Sequence, residues 1–315
     1  MSEREYTVGS SRVVKIPELD LNGFTVTQLL PGFNPDLLQA HPHWVSDATY
    51  DKATGRVPLS VHTWLVRHQG KVILVDMGAG NDKTRPAMKM LDHLHNPFLP
   101  RLEAAGIRPE DVDFVLLTHI HADHVGWNTR LERQEWEPTF PNATVICSDL
   151  EWRYGAALAQ EDEAGIQAAR TEAGLSEPIR VPVAGVFADS MIPLETAGKV
   201  RRVKVDGSKV DGSEVLPGIR FLPMPGHSID HAAIEIVSEG KIGLFGGDVL
   251  HHPLEVHDTE LVSMFCEFPD AARRSRHLLL KRAAETQAIY FSSHFPESSA
   301  GAIGQNGDGY TWDFA

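Results

Sequence analysis

Between residues 113 and 124 the chain passes from a short apolar run, Asp113 to Thr118, straight into His119-Ile120-His121-Ala122-Asp123-His124. No other feature constrains the fold as tightly. The apolar run predicts a buried strand, and in extended chain residues two apart face the same way, so His119 and His121 present their imidazoles to one point. Asp123 and His124 follow as the chain turns and address a second point close by. Neutral and anionic donors this close together read as a metal site, and one segment does not close a coordination shell by itself. Other strand ends must therefore bring ligands to the same edge, and three residues answer. His227 stands in the tight turn Pro225-Gly226-His227 after a strand; Asp248 is reached through Gly246-Gly247, whose small size lets backbone approach closely; His294 follows the last strand candidate.

The remaining chain supplies those strands. Val61–Val66, Gln69-Gly70 and Lys71–Val75 predict a β-hairpin that leads into Asp76-Met77-Gly78-Ala79-Gly80. A helical stretch with Leu91, Leu94, Phe98 and Leu102 follows, split by Pro97 and Pro100. Thr144–Cys147 repeats the apolar strand pattern, and 149–173 is Ala-rich and helical. The stretch 184–218, with Gly198, Gly207, Gly212 and Gly218, reads as short strands and turns. Ile219–Leu222, Ala232–Val237, Ile242–Phe245 and Ala288–Ser292 read as strands, and Pro269–Thr286 as an amphipathic helix with proline at its start. The first 60 residues, with a β-like run Phe24–Leu30 and then Pro31, Pro35 and Pro42, read as an irregular extension. Strands alternate with helices and each polar cluster sits just past a strand, which predicts an α/β fold with its site on strand-end loops.

Composition narrows the partners. With 29 Lys plus Arg against 43 Asp plus Glu the net charge is −14, a field that repels phosphate backbones and anionic membranes, so neither nucleic acid nor membrane is expected. No apolar run approaches the roughly 18 residues of a membrane span, and the N-terminus lacks an apolar leader, so a cytoplasmic location is expected. Cys147 and Cys266 allow at most one disulfide and read as reduced, buried thiols.

The order and strand-end context of the His and Asp residues resemble the metallo-β-lactamase-fold hydrolases, whose signature is His-x-His-x-Asp-His followed by single downstream His, Asp and His ligands. The resemblance covers Val61 to His294. It implies a four-layer αββα sandwich of two similar halves with a dinuclear site at one edge. The whole chain, 1–315, is expected as a single domain: an N-terminal extension over 1–60, a catalytic core over 61–294 and a C-terminal tail over 295–315. By the same resemblance His119, His121 and His227 hold metal one, Asp123, His124 and His294 hold metal two, Asp248 bridges them, and Asp76 supports the site without ligating. Imidazole and carboxylate without thiolate suit Zn²⁺, two per chain, although Fe, Mn or Co can occupy such a site. A relative that reduces O₂ or NO on two irons carries Glu where His121 stands, so the ligand set favours hydrolysis. Two Zn²⁺ held there would lower the pKa of a bound water toward ~7 and make hydroxide available for attack on a carbonyl or phosphoryl centre, with Asp123 placed to pass a proton.

The segments Asp248-Val249-Leu250-His251-His252-Pro253 and His294-Phe295-Pro296 look most like the branch that holds acyl-homoserine lactonases and methyl-parathion-hydrolase-like phosphotriesterases. Some of those lactonases place a Tyr three residues after the bridging Asp; here His251 stands there, and it is expected to donate the same hydrogen bond to the substrate carbonyl. The expected reaction is opening of a lactone or cleavage of a related ester in a small-molecule substrate, with phosphotriester hydrolysis as the alternative. A mononuclear iron persulfide dioxygenase needs only a subset of these ligands, and a scaffold without activity predicts a degraded set. Trp127 and Phe295 read either as walls of an apolar pocket or as core aromatics; Met264, Phe265 and Phe268 as a pocket wall or a dimer contact; His231 as a partner of a ligand. Since the resembling branch often dimerises, a homodimer is a candidate assembly.

Overall fold

In the computed structural model, which describes residues 4–40, 45–46, 48–206, 212–307 and 309–315, the chain opens on strands. Met1–Glu3, Pro42, Gly207 and Asp308 lie outside the described residues. β1 (Glu5–Val8) and β2 (Ser11–Leu21) pair antiparallel, which corrects the irregular reading of residues 1–60. Arg12, Lys15 and Glu18 interrupt the apolar alternation of β2 and hide it in the sequence. The run Phe24–Leu30 is also corrected, because it holds a helical turn, α1 (Val26–Leu29). A capping box starts it: the Thr25 hydroxyl accepts from the Gln28 amide at 3.3 Å while the Gln28 side chain accepts from the Thr25 amide at 2.9 Å. α2 (Asp36–Ala40) follows.

The hairpin forms as β3 (Leu59–His68) and β4 (Lys71–Val75). The expected helical stretch is interrupted ahead of Pro97 but not at Pro100. Pro97 caps α3 (Phe98–Ala104) and Pro100 sits in its first turn, where no amide donor is required, while Leu91 and Leu94 lie ahead of it. Then come β5 (Phe114–Leu116), α4 (Ala122–Val125), a separate hairpin of β6 (Thr129–Glu132) and β7 (Glu135–Pro138), β8 (Thr144–Ser148), α5 (Asp149–Ala159) and α6 (Glu163–Ala173). The stretch 184–218 is partly helical, contrary to the strand-and-turn reading: α7 (Val186–Ser190) and α8 (Ile192–Thr196) precede β9 (Val200–Val203) and β10 (Ser213–Leu216). The second half continues with β11 (Ile219–Pro223), β12 (Ala232–Ser238), β13 (Lys241–Phe245), α9 (Leu254–His257), α10 (Pro269–Thr286) and β14 (Ile289–Phe291). Residues 295–315 are no loose tail, since β15 (Ala300–Asn306) and β16 (Gly309–Phe314) complete a sheet.

Two seven-stranded sheets result, ordered β1-β2-β3-β4-β5-β8-β9 and β10 through β16 in sequence order. Each contains an antiparallel hairpin followed by a parallel strand, β3-β4-β5 in one and β12-β13-β14 in the other, so the halves share a plan. Between the sheets Val13, Trp64, Ile73 and Val75 meet Phe221, Ile234, Phe245 and Phe291. Trp64 stands edge-on to Phe291, with ring centroids 4.9 Å apart. Helices cover the outer faces: α3 and the 186–196 helices pack on the first sheet and α10 on the second, which makes the four-layer α/β sandwich. Burying side chains of this size stabilises by roughly 1.5–3 kcal/mol each, so the inter-sheet core is what holds the strand ends in register at the site.

Candidate metal centre

β4 and β5 run parallel and end side by side, which brings Asp76 beside Thr118. The Thr118 amide and hydroxyl donate to the two Asp76 oxygens at 2.9 and 2.8 Å. The chain bends at Thr118, is extended at His121 and then turns into α4, which carries Asp123 and His124. The second sheet supplies the rest. Gly226 (φ 134°) packs against the backbone of Ala272 at the start of α10, so a Cβ there would overlap it and displace the turn that aims His227. Gly247 (φ 53°) likewise leaves room for the His231 ring directly before Asp248. His294 follows β14.

All seven expected residues converge. His119, His121 and His227 have donor atoms within 4.8 Å of one another, as do Asp123, His124 and His294, and Asp248 closes a group with His119 and His124. The Asp248 carboxylate has the Nε2 atoms of His124 and His294 at 3.1 Å and that of His227 at 3.2 Å. Outward partners set the tautomers. His124 Nδ1 donates to Asp76 at 2.9 Å, His294 Nδ1 to the Ser60 carbonyl at 3.0 Å, and His119 Nδ1 to the Thr118 hydroxyl at 3.0 Å, whose own proton goes to Asp76. His121 is reversed: its Nε2 donates to Glu267 at 2.8 Å, leaving Nδ1 2.9 Å from His227 Nε2. Each of these rings therefore turns its second nitrogen inward, toward the other rings and a carboxylate.

Such an arrangement is unfavourable without a cation. His119 Nε2, His124 Nε2 and Asp248 Oδ1 are buried with no hydrogen-bond partner, and unpaired buried polar atoms cost about 1–3 kcal/mol each. The donor set fits divalent ions. Burial holds the His119 and His227 imidazoles well below their ordinary range, in the neutral form a metal requires. Burial opposes charge on His124 as well, but Asp248, Asp76 and Asp123 outweigh it and raise that ring well above the ordinary range. Carboxylates that favour a proton there favour a cation equally.

His251 joins the same cluster. Its Nε2 lies 3.3 Å from Asp248, and its ring lies parallel to His294 with centroids 5.5 Å apart. Behind it, Glu255 accepts from the amides of His251 and His252 and pairs with Arg276 at 2.6 Å, both side chains being buried. Burial disfavours charge on His251, yet Asp248 and Glu255 push its pKa up to about 9. His231 touches the site from outside, accepting from the Asp248 amide at 2.9 Å. Glu267, Ser60 and Glu255 carry no motif in the sequence. The one available signal was Glu267, a lone carboxylate in the apolar run Met264–Phe268.

A cavity opens on these donors, lined by Leu21, Phe24 and Leu59 from the first 60 residues, Met88, Met90 and Leu91, Arg180 to Val183, and Phe265. Trp127 and Phe295 do not line it. Trp127 stacks on Phe98 and donates to Glu18, and Phe295 is buried against Tyr290 and Trp312, so both are core aromatics. Phe268 is buried among Leu150, Tyr154 and Ile229, and of the three residues 264, 265 and 268 only Phe265 faces the cavity. Cys147 and Cys266 are free and buried. Among the described residues no helix is long and apolar enough to cross a membrane.

Comparison with known proteins agrees with this geometry. The family model described as the metallo-beta-lactamase superfamily matches residues 56–294. Among solved structures, the hydrolase AbOPH of the beta lactamase superfamily is 20% identical with a TM-score of 0.74, covering 99% of this chain and 97% of its own. AidC, a dizinc quorum-quenching lactonase solved with a product bound, is 19% identical with a TM-score of 0.72, over 99% and 97% of the two chains. A probable metal-dependent hydrolase from Staphylococcus aureus is 16% identical with a TM-score of 0.70, over 98% and 99%. At these identities the similarity is one of fold.

Proposed function

The chain belongs to the metallo-beta-lactamase superfamily as a metal-dependent hydrolase, and from that premise we propose that it opens a lactone, or cleaves a related ester, at a two-metal centre. The observation that carries this reading is the convergence of ring nitrogens of His119, His121, His124, His227 and His294 around the Asp248 carboxylate, at the floor of a largely apolar cavity. In this proposal His119, His121 and His227 hold one ion, Asp123, His124 and His294 the other, and Asp248 both, with Zn²⁺ as the ion that suits nitrogen and carboxylate donors. Divalent ions so held supply a water activated at neutral pH and polarisation of the acceptor oxygen.

The chain's own groups do the rest. Asp123 is the most accessible carboxylate of the set, 3.8 Å from His124 and 3.7 Å from His294, and is placed to move a proton between water and the leaving oxygen. His251, whose Nε2 lies 3.3 Å from Asp248 at the cavity floor, is placed to offer that nitrogen as donor to the substrate carbonyl oxygen. Glu267, Asp76 and the Ser60 carbonyl hold His121, His124 and His294 in orientation. The apolar cavity receives an acyl or aryl group. AidC, similar in fold, is a lactonase, which supports a lactone as substrate. Phosphotriester hydrolysis is the second reading, favoured by His251 where some lactonases of the resembling branch carry Tyr. A single domain over residues 1–315, a cytoplasmic location and a homodimeric assembly belong to the same proposal.

The test is proton release by Zn²⁺-loaded protein with acyl-homoserine lactones of graded chain length, an aryl ester and an aryl phosphotriester alongside. Saturable lactone opening with kcat/KM above ~10⁴ M⁻¹s⁻¹ is expected. Fully loaded protein that turns over none of these substrates overturns the reading, and turnover of the phosphotriester alone transfers it to the second.

A further inference from the structure

The cavity beside the metal centre has one Arg or Lys among its described lining residues, Arg180. Its neighbour Ile179 donates its amide to the Glu267 carbonyl at 2.9 Å, and the Glu267 carboxylate in turn takes His121 Nε2, so this segment is anchored to the site itself. Arg180 is partly buried and lays its guanidinium over the Phe265 ring, with Cζ 5.7 Å from the centroid. Among the described residues, no carboxylate or carbonyl accepts from any of its N–H groups. That is unusual in a chain with 43 Asp plus Glu against 29 Lys plus Arg, where carboxylate partners are in excess. Other arginines drawn into the protein find acceptors: Arg85 pairs with Asp189, Arg276 with Glu255 and Arg282 with Glu235, while Arg67 and Arg101 donate to backbone carbonyls. An unpaired guanidinium in a largely apolar cleft forgoes the charge-assisted, bidentate bonds it is shaped to make unless a ligand brings the acceptor. The Phe265 ring beneath it offers a cation–π contact that leaves its N–H groups unpaired.

We propose that Arg180 is the specificity-determining residue of this cavity and binds a carboxylate at the end of the substrate remote from the bond that is broken. The proposal rests on the hydrolase reading and narrows its substrate class to esters or lactones that carry an apolar spacer and a free carboxylate. Leu21, Phe24, Met88 and Val183 receive the spacer. One guanidinium fork matches a single carboxylate through two parallel N–H···O bonds.

The test compares two esters on metal-loaded protein: the 4-nitrophenyl monoester of suberic acid and the same ester with its distal carboxyl capped as an amide. Wild type is expected to favour the free acid in kcat/KM by about tenfold or more, carried by KM, since a hydrogen bond to a charged group is worth that much. Arg180→Gln lowers kcat/KM for the free acid about tenfold more than for the capped ester, Arg180→Lys restores part of the difference, and added salt shrinks the wild-type preference. Calorimetry with the corresponding non-hydrolysable anilides reads the same discrimination as a difference in Kd without turnover. Equal treatment of the two esters by wild type, or a preference that survives Arg180→Gln, overturns the role of Arg180 and leaves the hydrolase reading standing. Absence of turnover with both esters counts against the hydrolase reading, while the anilide binding still decides the role of Arg180.

Discussion

Glu267 decides which nitrogen of His121 faces the centre, because its carboxylate takes the Nε2 proton and leaves Nδ1 inward. Glu267→Ala frees that ring to turn, and metal affinity is expected to fall ~10–100-fold with the fold intact, read by competition with a chromogenic chelator. Unchanged affinity would return Glu267 to a packing role. Asp248→Ala and His121→Ala are expected to abolish turnover and lower bound metal, and full metal and activity in both variants would refute the proposed ligand set. His251→Phe is expected to lower kcat more than it raises KM, since a carbonyl-polarising donor acts mainly in the transition state; an unchanged kcat leaves His251 structural. The proposed donors were legible because histidine and aspartate just past apolar runs are conspicuous. The groups that orient them were not. Ser60 acts through its backbone carbonyl and Glu267 lies far along the chain from its partner, so no spacing rule links either to a histidine.

At the scale of elements, Lys83 pins the β6–β7 hairpin. Its ammonium is fully buried, sits 3.5 Å from the Trp136 ring centroid and donates to the Thr129 hydroxyl at 2.6 Å. Burial outweighs the pull of Asp189 and pushes its pKa down to about 7 from an ordinary 10.5. Between those values the unfolded chain binds a proton that the folded protein does not, so this group's contribution to stability rises with pH. The unfolding midpoint of wild type relative to Lys83→Met is therefore expected to climb as pH goes from about 7 to about 10, and a constant difference would contradict the assignment. Glu18 does comparable work on β2, accepting from the Ala79 and Gly80 amides and the Trp127 indole. Glu18→Ala strands three donors and is expected to cost roughly 3 kcal/mol or more in denaturant unfolding. Neither element was readable. Arg133 and Gln134 turn the β6–β7 hairpin at φ 48° and 72° without the Gly or Asn that usually marks such a turn, and β2 carries its buried Glu18 where an apolar residue would have signalled a strand. The β3–β4 hairpin and α10 were legible because their periodicity is unbroken.

Across the whole molecule, the sandwich followed from the alternation of strands and helices together with the family resemblance, while both ends of the chain were misjudged. β1 with β2 and β15 with β16 close one side of each sheet, and their short or polar runs resemble loops until their partners are known. Trp312 shows how much the last strand carries: it is fully buried against Tyr290, Phe295 and Phe314. Trp312→Ala is expected to cost ~3–5 kcal/mol in thermal or denaturant unfolding. Removing the ions with a chelator is expected to lower the unfolding temperature by at least ~5 °C, because the folded form alone binds them. The split of the proposed donors between the sheets also bears on how the protein assembles in time. His119 to His124 leave the first sheet, and His227, Asp248 and His294 leave the second, so neither sheet alone encloses an ion and capture has to wait until the two have docked. Metal uptake during refolding would then act as a clock on that late step, running no faster than the change in emission of Trp64, which is buried where the sheets meet.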